Sequence, residues 1–291
     1  MFKGTFTALV TPFSGDAFDP GAYRDLIEFQ LAAGIDGLVP CGTTGESATL
    51  SHEEHDAVVE ACLRAVDGRV PVIAGAGSNS TREALRLTRH AKEAGAAGAL
   101  LITPYYNRPT QEGLYRHYLT VADSVDLPLV VYNVPSRTGT DILPETLARL
   151  ARHPNIVAVK EATGSLRRVT EIVLACGDSL AVISGDDFTF LPLLAAGGSG
   201  VISVVSNIAP REMADLYDRF AAGDLAGARA LHDRIFPLMA AMFLETNPAP
   251  VKTALAMMGR IREEVRLPLV TLGEKNREAL RAVLVAHGLI S

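Results

Sequence analysis

The chain is punctuated by a regular beat. Short apolar runs at 4–10, 36–40, 70–75, 98–103, 128–132, 155–160, 180–184 and 200–205 alternate with segments of helical spacing at 23–33, 53–66, 82–94, 111–124, 144–151, 167–175 and 188–195. The apolar runs lack clean period-2 alternation, as strands buried on both faces do. Strands of that kind lie parallel and need crossover helices between them. Eight such units in βα order predict an α/β protein, a (β/α)8 TIM barrel. A doubly wound sheet satisfies the same periodicity, because pattern alone does not show closure. After about Phe220 the strand signals nearly stop, and 226–243, 250–259 and 274–287 read as helices. The expected division is therefore a barrel over 1–222 and a C-terminal helical extension over 223–291.

Local chemistry supports the element boundaries. Ser51-x-x-Glu54 and Ser80-x-x-Glu83 read as capping boxes, and Pro144 suits a first helical turn. Glycine follows three helical segments, at Gly34, Gly95 and Gly197, where a left-handed cap closes a helix. The 291 residues are 48% hydrophobic and 21% charged, which describes a globular protein with a large core. Net charge is −6 with no basic cluster, so neither nucleic acid nor an anionic membrane is an expected partner. Residues 188–210 carry no charge, but Pro192, the glycines at 197, 198 and 200, and Asn207 break the run into soluble core. The start of the chain has no signal-peptide organisation. Three widely spaced cysteines, Cys41, Cys62 and Cys176, fit free thiols in a reducing cytosol. Cytoplasmic localisation is the expectation.

Chemistry in a barrel sits where strands end. Lys160 closes the sixth apolar run. An ammonium held at the mouth of a buried strand has its pKa lowered and its lone pair freed for attack on a ketone. The bland alternative is the first solvated residue after a strand. The second run ends in Cys41-Gly42-Thr43-Thr44-Gly45-Glu46, whose glycines and hydroxyls can form a nest for a carboxylate or simply a tight turn. The fourth ends in Tyr105-Tyr106, which can donate phenol protons or pack at an interface. The fifth ends in Tyr132 and continues to Arg137, a proton carrier and a carboxylate clamp, or a packed ring and a solvated charge. Asp186-Asp187, after the seventh, read as acidic residues at a helix N-terminus rather than as a metal site.

Three other motifs fail. His52-Glu53-Glu54-His55 spaces its histidines three apart, not four as in zinc proteases. Residues 75–80 lack the third glycine of a dinucleotide loop and the lysine of a P-loop. No Gly-x-Ser-x-Gly elbow occurs.

Together, Gly42-Thr43-Thr44-Gly45-Glu46, Tyr132-Asn133-Val134-Pro135-Ser136-Arg137-Thr138-Gly139 and Val159-Lys160-Glu161 resemble the dihydrodipicolinate synthase family. These are class I pyruvate aldolases, related to N-acetylneuraminate lyase. Thr11-Pro12-Phe13, Gly200-Val201-Ile202-Ser203 and Glu245-Thr246-Asn247-Pro248 extend the resemblance over essentially the whole chain. The resemblance implies condensation of pyruvate with L-aspartate 4-semialdehyde to 4-hydroxy-tetrahydrodipicolinate, on the branch to diaminopimelate and lysine. It implies a Schiff base on Lys160, a pyruvate carboxylate held by Thr43 and Thr44, and a relay of Tyr132, Thr44 and Tyr106, the last from a neighbouring subunit. It further implies a semialdehyde carboxylate on Arg137, backbone contributions near Gly185 and Ile202, no metal or organic cofactor, and a homotetramer. Ser47, Ala48, His52, His55, Asn79, Glu83 and Tyr105 match positions where lysine-inhibited members bind L-lysine; the alternative places His52 and His55 on a solvated helix face. Two other readings stay open at this point. One is another pyruvate-dependent aldolase or dehydratase of the N-acetylneuraminate lyase type. The other is a non-catalytic barrel that senses a keto acid.

Overall fold

The computed structural model describes residues 2–291. Eight parallel strands form one sheet: β1 (Gly4–Ala8), β4 (Gly37–Val39), β5 (Ile73–Gly75), β6 (Gly98–Ile102), β7 (Leu129–Asn133), β8 (Ile156–Glu161), β9 (Ala181–Ser184) and β10 (Gly200–Ser203). The order is β4-β1-β10-β9-β8-β7-β6-β5, and a Leu38–Val72 bridge joins the two ends. The sheet is thus a closed barrel, and the doubly wound alternative falls. The expected strands are all present, each within three residues of its expected ends. A small hairpin, β2 (Phe13–Ser14) with β3 (Ala17–Phe18), lies outside the barrel sheet and was not anticipated.

Side chains divide by pleat. Phe6, Ala8, Val39, Ile73, Leu100, Val130, Tyr132, Ala158, Ile183 and Ile202 fill the lumen. The alternate residues, such as Leu38, Ala74, Leu101, Val131, Val159 and Val182, pack outward against the helices. Both faces are apolar, which is why the runs show no alternation.

The surrounding helices are α1 (Pro20–Ala32), α2 (His52–Val66), α3 (Thr81–Ala94), α4 (Gln111–Ser124), a single turn α5 (Pro135–Thr138), α6 (Pro144–Leu150), α7 (Leu166–Cys176), α8 (Phe190–Ala195) and α9 (Pro210–Ala221). The Ser51 capping box forms in full. The Ser80 box does not: Ser80 makes no side-chain cap, its backbone N–H donates to Ser78 Oγ, and Glu83 turns to the Ser78 hydroxyl and to His52. Gly34, Gly95 and Gly197 follow their helices with positive φ, as expected. Helix α9 lies in a stretch that the sequence reading left without an element.

The extension comprises α10 (Leu225–Ala241), α11 (Ala249–Met257) and α12 (Glu274–Ala286). Its apolar residues, including Leu238, Val251, Leu255 and Leu280, share one core with Val10, Leu26, Phe190 and Val201 from the barrel. No helix among the described residues is long and apolar enough to cross a membrane.

Candidate active site

Lys160 follows the pleat of β8. Ala158 faces the lumen and Val159 faces out, so the residue after Val159 returns inward near the C-terminal end of the strand. Lys160 is 6% exposed and is in register with Tyr132 on β7. Its Nζ lies 4.2 Å from the centre of the Tyr132 ring. Among the described residues it makes no salt bridge. Burial pushes the pKa down to about 7, the Arg137 charge pushes the same way, and Asp187 opposes both. Near neutral pH a large share of such an amine is unprotonated, as attack on a carbonyl requires.

Gly185 makes room for this side chain. A Cβ there would sit 3.0 Å from Lys160 Cε and 2.7 Å from Ala162 Cβ. Asp187 has a part in the site beyond its expected role. Asp186 caps the following turn by accepting from Phe188 N, but Asp187 is buried and its Oδ2 accepts from Val204 N and Val205 N at 3.0 and 2.9 Å. Burial raises its pKa to about 6. It opens the short helical turn Asp187–Thr189, as expected, but is also a buried acid whose charge bears on the lysine.

Tyr132 is buried, and burial raises its phenol pKa, while Arg137 and the Thr43 hydroxyl draw it back. Thr43, Tyr132 and Arg137 line one cavity of about 490 Å³. Ile202 lies in the lumen cluster with Tyr132. Thr44 is buried and its Oγ1 accepts from Asn247 Nδ2 at 3.0 Å. The Asn247 carbonyl in turn accepts from Arg137 at 3.2 Å.

Glu46, in the same loop, has positive φ and a fully buried carboxylate. Lys252 of α11 donates to it at 2.5 Å and to the Thr11 carbonyl at 2.8 Å. Arg266 adds a backbone N–H to Glu46 and a guanidinium to Glu54. The extension therefore grips the loop after β4 at several points.

The family model described as the dihydrodipicolinate synthetase family matches residues 1–287. The chain belongs to the dihydrodipicolinate synthetase family. It is 61% identical over 290 residues, all of both chains, to the 4-hydroxy-tetrahydrodipicolinate synthase of Syntrophus aciditrophicus. The crystal structure of the chloride-inhibited dihydrodipicolinate synthase of Acinetobacter baumannii, complexed with pyruvate, superposes with a TM-score of 0.98 at 46% identity over all of both chains. That of the Cyanidioschyzon merolae synthase with lysine bound gives 0.96 at 40% identity, covering 99% of each chain.

The remaining residues expected from the family divide into three groups. Ser47, Ala48, His52, His55, Glu83 and Tyr105 line the same cavity as Thr43 and Arg137. His52 is bonded to Glu83 at 2.8 Å. His55 does not lie on a solvated face: it is buried, and its Nε2 donates to the Gly75 carbonyl at 2.8 Å. Asn79 offers its carbonyl to Asn107 Nδ2 and is not part of the cavity wall. Tyr106 stands apart from the lysine, 91% exposed and with φ of 72°. Cys41 is a buried thiol whose pKa burial drives far up, so it stays protonated.

Sequence reading missed Asn247, Lys252 and Asp187 as parts of this site. Asn247 and Lys252 are joined to it by contacts across 203 and 206 positions, which no local pattern records.

Proposed function

We propose that this chain is a lyase that condenses pyruvate with L-aspartate 4-semialdehyde to 4-hydroxy-tetrahydrodipicolinate, with Lys160 as the Schiff-base nucleophile. The observation that carries the assignment of Lys160 is its burial in the barrel mouth with no carboxylate partner and a pKa near 7. The family and its full-length relatives supply the two substrates and the product.

In this reading the neutral Lys160 amine adds to the pyruvate ketone, and loss of water gives the protonated imine. Thr43 and Thr44 hold the pyruvate carboxylate through hydroxyl and backbone donors. The imine withdraws electrons from the methyl group, a proton leaves, and the enamine forms. Its carbon attacks the aldehyde, whose own carboxylate is held by Arg137. The substrate amine then closes the ring and displaces Lys160. Tyr132 and Thr44 carry protons between these steps, and Gly185 and Ile202 complete the wall. The imine nitrogen is the electron sink, so the steps call for no organic cofactor.

Tyr106 joins the relay from a neighbouring copy in a homotetramer. Its near-complete exposure on the single chain suits a side chain that finishes another chain's site. Lysine is proposed as an inhibitor at Ser47, Ala48, His52, His55, Asn79, Glu83 and Tyr105. The lysine-bound relative and the polar lining of the cavity, which includes the Glu83 carboxylate, support that reading. The setting is cytosolic.

The test is pyruvate consumption with and without L-aspartate 4-semialdehyde, with Lys160→Arg as control. A guanidinium stays protonated and forms no imine. Consumption that requires both the semialdehyde and Lys160 is expected. Semialdehyde-independent turnover, or full activity in the variant, would reject the assignment.

A further inference from the structure

Asn247 is a residue of the C-terminal extension, yet it touches two groups of the barrel mouth. Its side-chain Nδ2 donates to Thr44 Oγ1 at 3.0 Å, and its backbone carbonyl accepts from the Arg137 guanidinium at 3.2 Å. It is buried, and its Oδ1 is buried without a partner. Asn247, Thr246 and Pro248 line the cavity shared by Thr43, Tyr132 and Arg137.

A threonine hydroxyl has one proton and two lone pairs. The Asn247 amide occupies a lone pair, and Thr44 Oγ1 makes no other hydrogen bond among the described residues. The Thr44 proton is thereby kept from pointing at Asn247 and is left for another acceptor. Thr44 lies on the pyruvate side of the proposed site and Arg137 on the semialdehyde side. One residue holds both.

We infer that Asn247 is a positioning residue that directs the Thr44 proton through its amide and fixes the Arg137 guanidinium through its carbonyl. The inference rests on the condensation proposed above. It assigns a division of labour: the side chain serves the proton relay, and the backbone serves the second substrate.

That division sets the test. Asn247→Ala removes the amide but keeps the backbone carbonyl. Its kcat is expected to fall about 10- to 100-fold, with KM for the semialdehyde changed less than about two-fold. Asn247→Asp differs by one group and is nearly isosteric. A carboxylate accepts but does not donate, so the Thr44 proton turns toward it, and kcat is expected to fall further than in Asn247→Ala. In a Thr44→Val background, Asn247→Ala is expected to cost less than about two-fold more, because its route of action is gone. Additive losses in that cycle, or a joint change of kcat and KM with a lowered melting temperature, would overturn the inference. If Asn247→Ala does not fold, Asn247→Asp decides the matter: kcat equal to the parent refutes the role. Failure of the parent protein to consume pyruvate with semialdehyde would instead remove the function on which the inference rests, and is scored separately.

Discussion

Lys160 and Lys252 are both buried, and each holds its Nζ 4.2 Å from the centre of an aromatic ring, Tyr132 and Phe13 respectively. Burial lowers the pKa of both. They differ in their acceptors. Lys252 has the Glu46 carboxylate at 2.5 Å and the Thr11 carbonyl at 2.8 Å. Among the described residues Lys160 has neither a carboxylate nor a carbonyl bonded to it; Asp187 and Arg137 act on it as unbonded charges of opposite sign. Burial alone therefore does not make a reactive amine. A buried lysine with acceptors is a tie, and a buried lysine without them is a nucleophile waiting for a carbonyl.

Replacing each by methionine tests this contrast at its strongest. Lys160→Met is expected to lose activity by a factor on the order of 1,000 or more, measured as semialdehyde-dependent pyruvate consumption. It should gain stability at the same time. The folded pKa of Lys160 is about 7, below the unfolded value of roughly 10.4. The folded state thus binds its proton less readily. The penalty is full below pH 7 and fades as pH rises toward the unfolded value. Unfolding free energies from denaturant titration should favour Lys160→Met by on the order of 3 kcal/mol at pH 6, with a narrower gap at pH 9.

Lys252→Met should do the reverse. It strands the Glu46 carboxylate, at a cost of about 3–5 kcal/mol in unfolding free energy. Adding Glu46→Gln should recover part of that loss. A Lys252→Met protein more stable than its parent would break the comparison.

Gly185→Ala probes the room around Lys160 without touching its chemistry. The added methyl group meets Lys160 Cε at 3.0 Å. Borohydride trapping of pyruvate should slow about 10-fold, with a loss of about 1–2 kcal/mol in stability. Unchanged trapping would show that the lysine has slack.

The smallest effect concerns pH. Trapping should rise through about pH 7 as Lys160 loses its proton. Asp187→Asn removes the anion that favours the ammonium, so the midpoint should move to lower pH. A midpoint that moves upward would reverse the assigned sign.

Much of this architecture was readable from the chain. Runs such as 98–103 and 128–132 are apolar on both faces because lumen and helices both cover them, and their number and order pointed to a barrel, whose closure only the strand pairing shows. Lys160, Tyr132, Thr43 and Arg137 were singled out because each sits at or just past a strand end, and the structure places Thr43, Tyr132 and Arg137 on one cavity with Lys160 beside Tyr132. Helix α9 escaped although Pro210 and the spacing of Met213, Leu216, Tyr217 and Phe220 marked it, because the stretch fell between the last strand and the expected extension. Ser80 misled because Glu83 had better partners in Ser78 and His52. For His55 the solvated-face alternative fell because its ring packs on the Gly75 carbonyl. Lys252 had no local signature, and Asn247 was noticed only as part of the Glu245-Thr246-Asn247-Pro248 segment, since what matters in each is a partner more than 200 positions away.

That separation gives the chain a timetable. During synthesis Lys160 and most of the barrel are polymerised well before residues 247–266 that grip the loop after β4. Until those residues arrive, Glu46 has no counter-ion and the Thr44 hydroxyl no donor. A nascent chain can hold its buried barrel lysine before the contacts that complete the neighbouring loop, and closing contacts this distant is a slow, late event in folding.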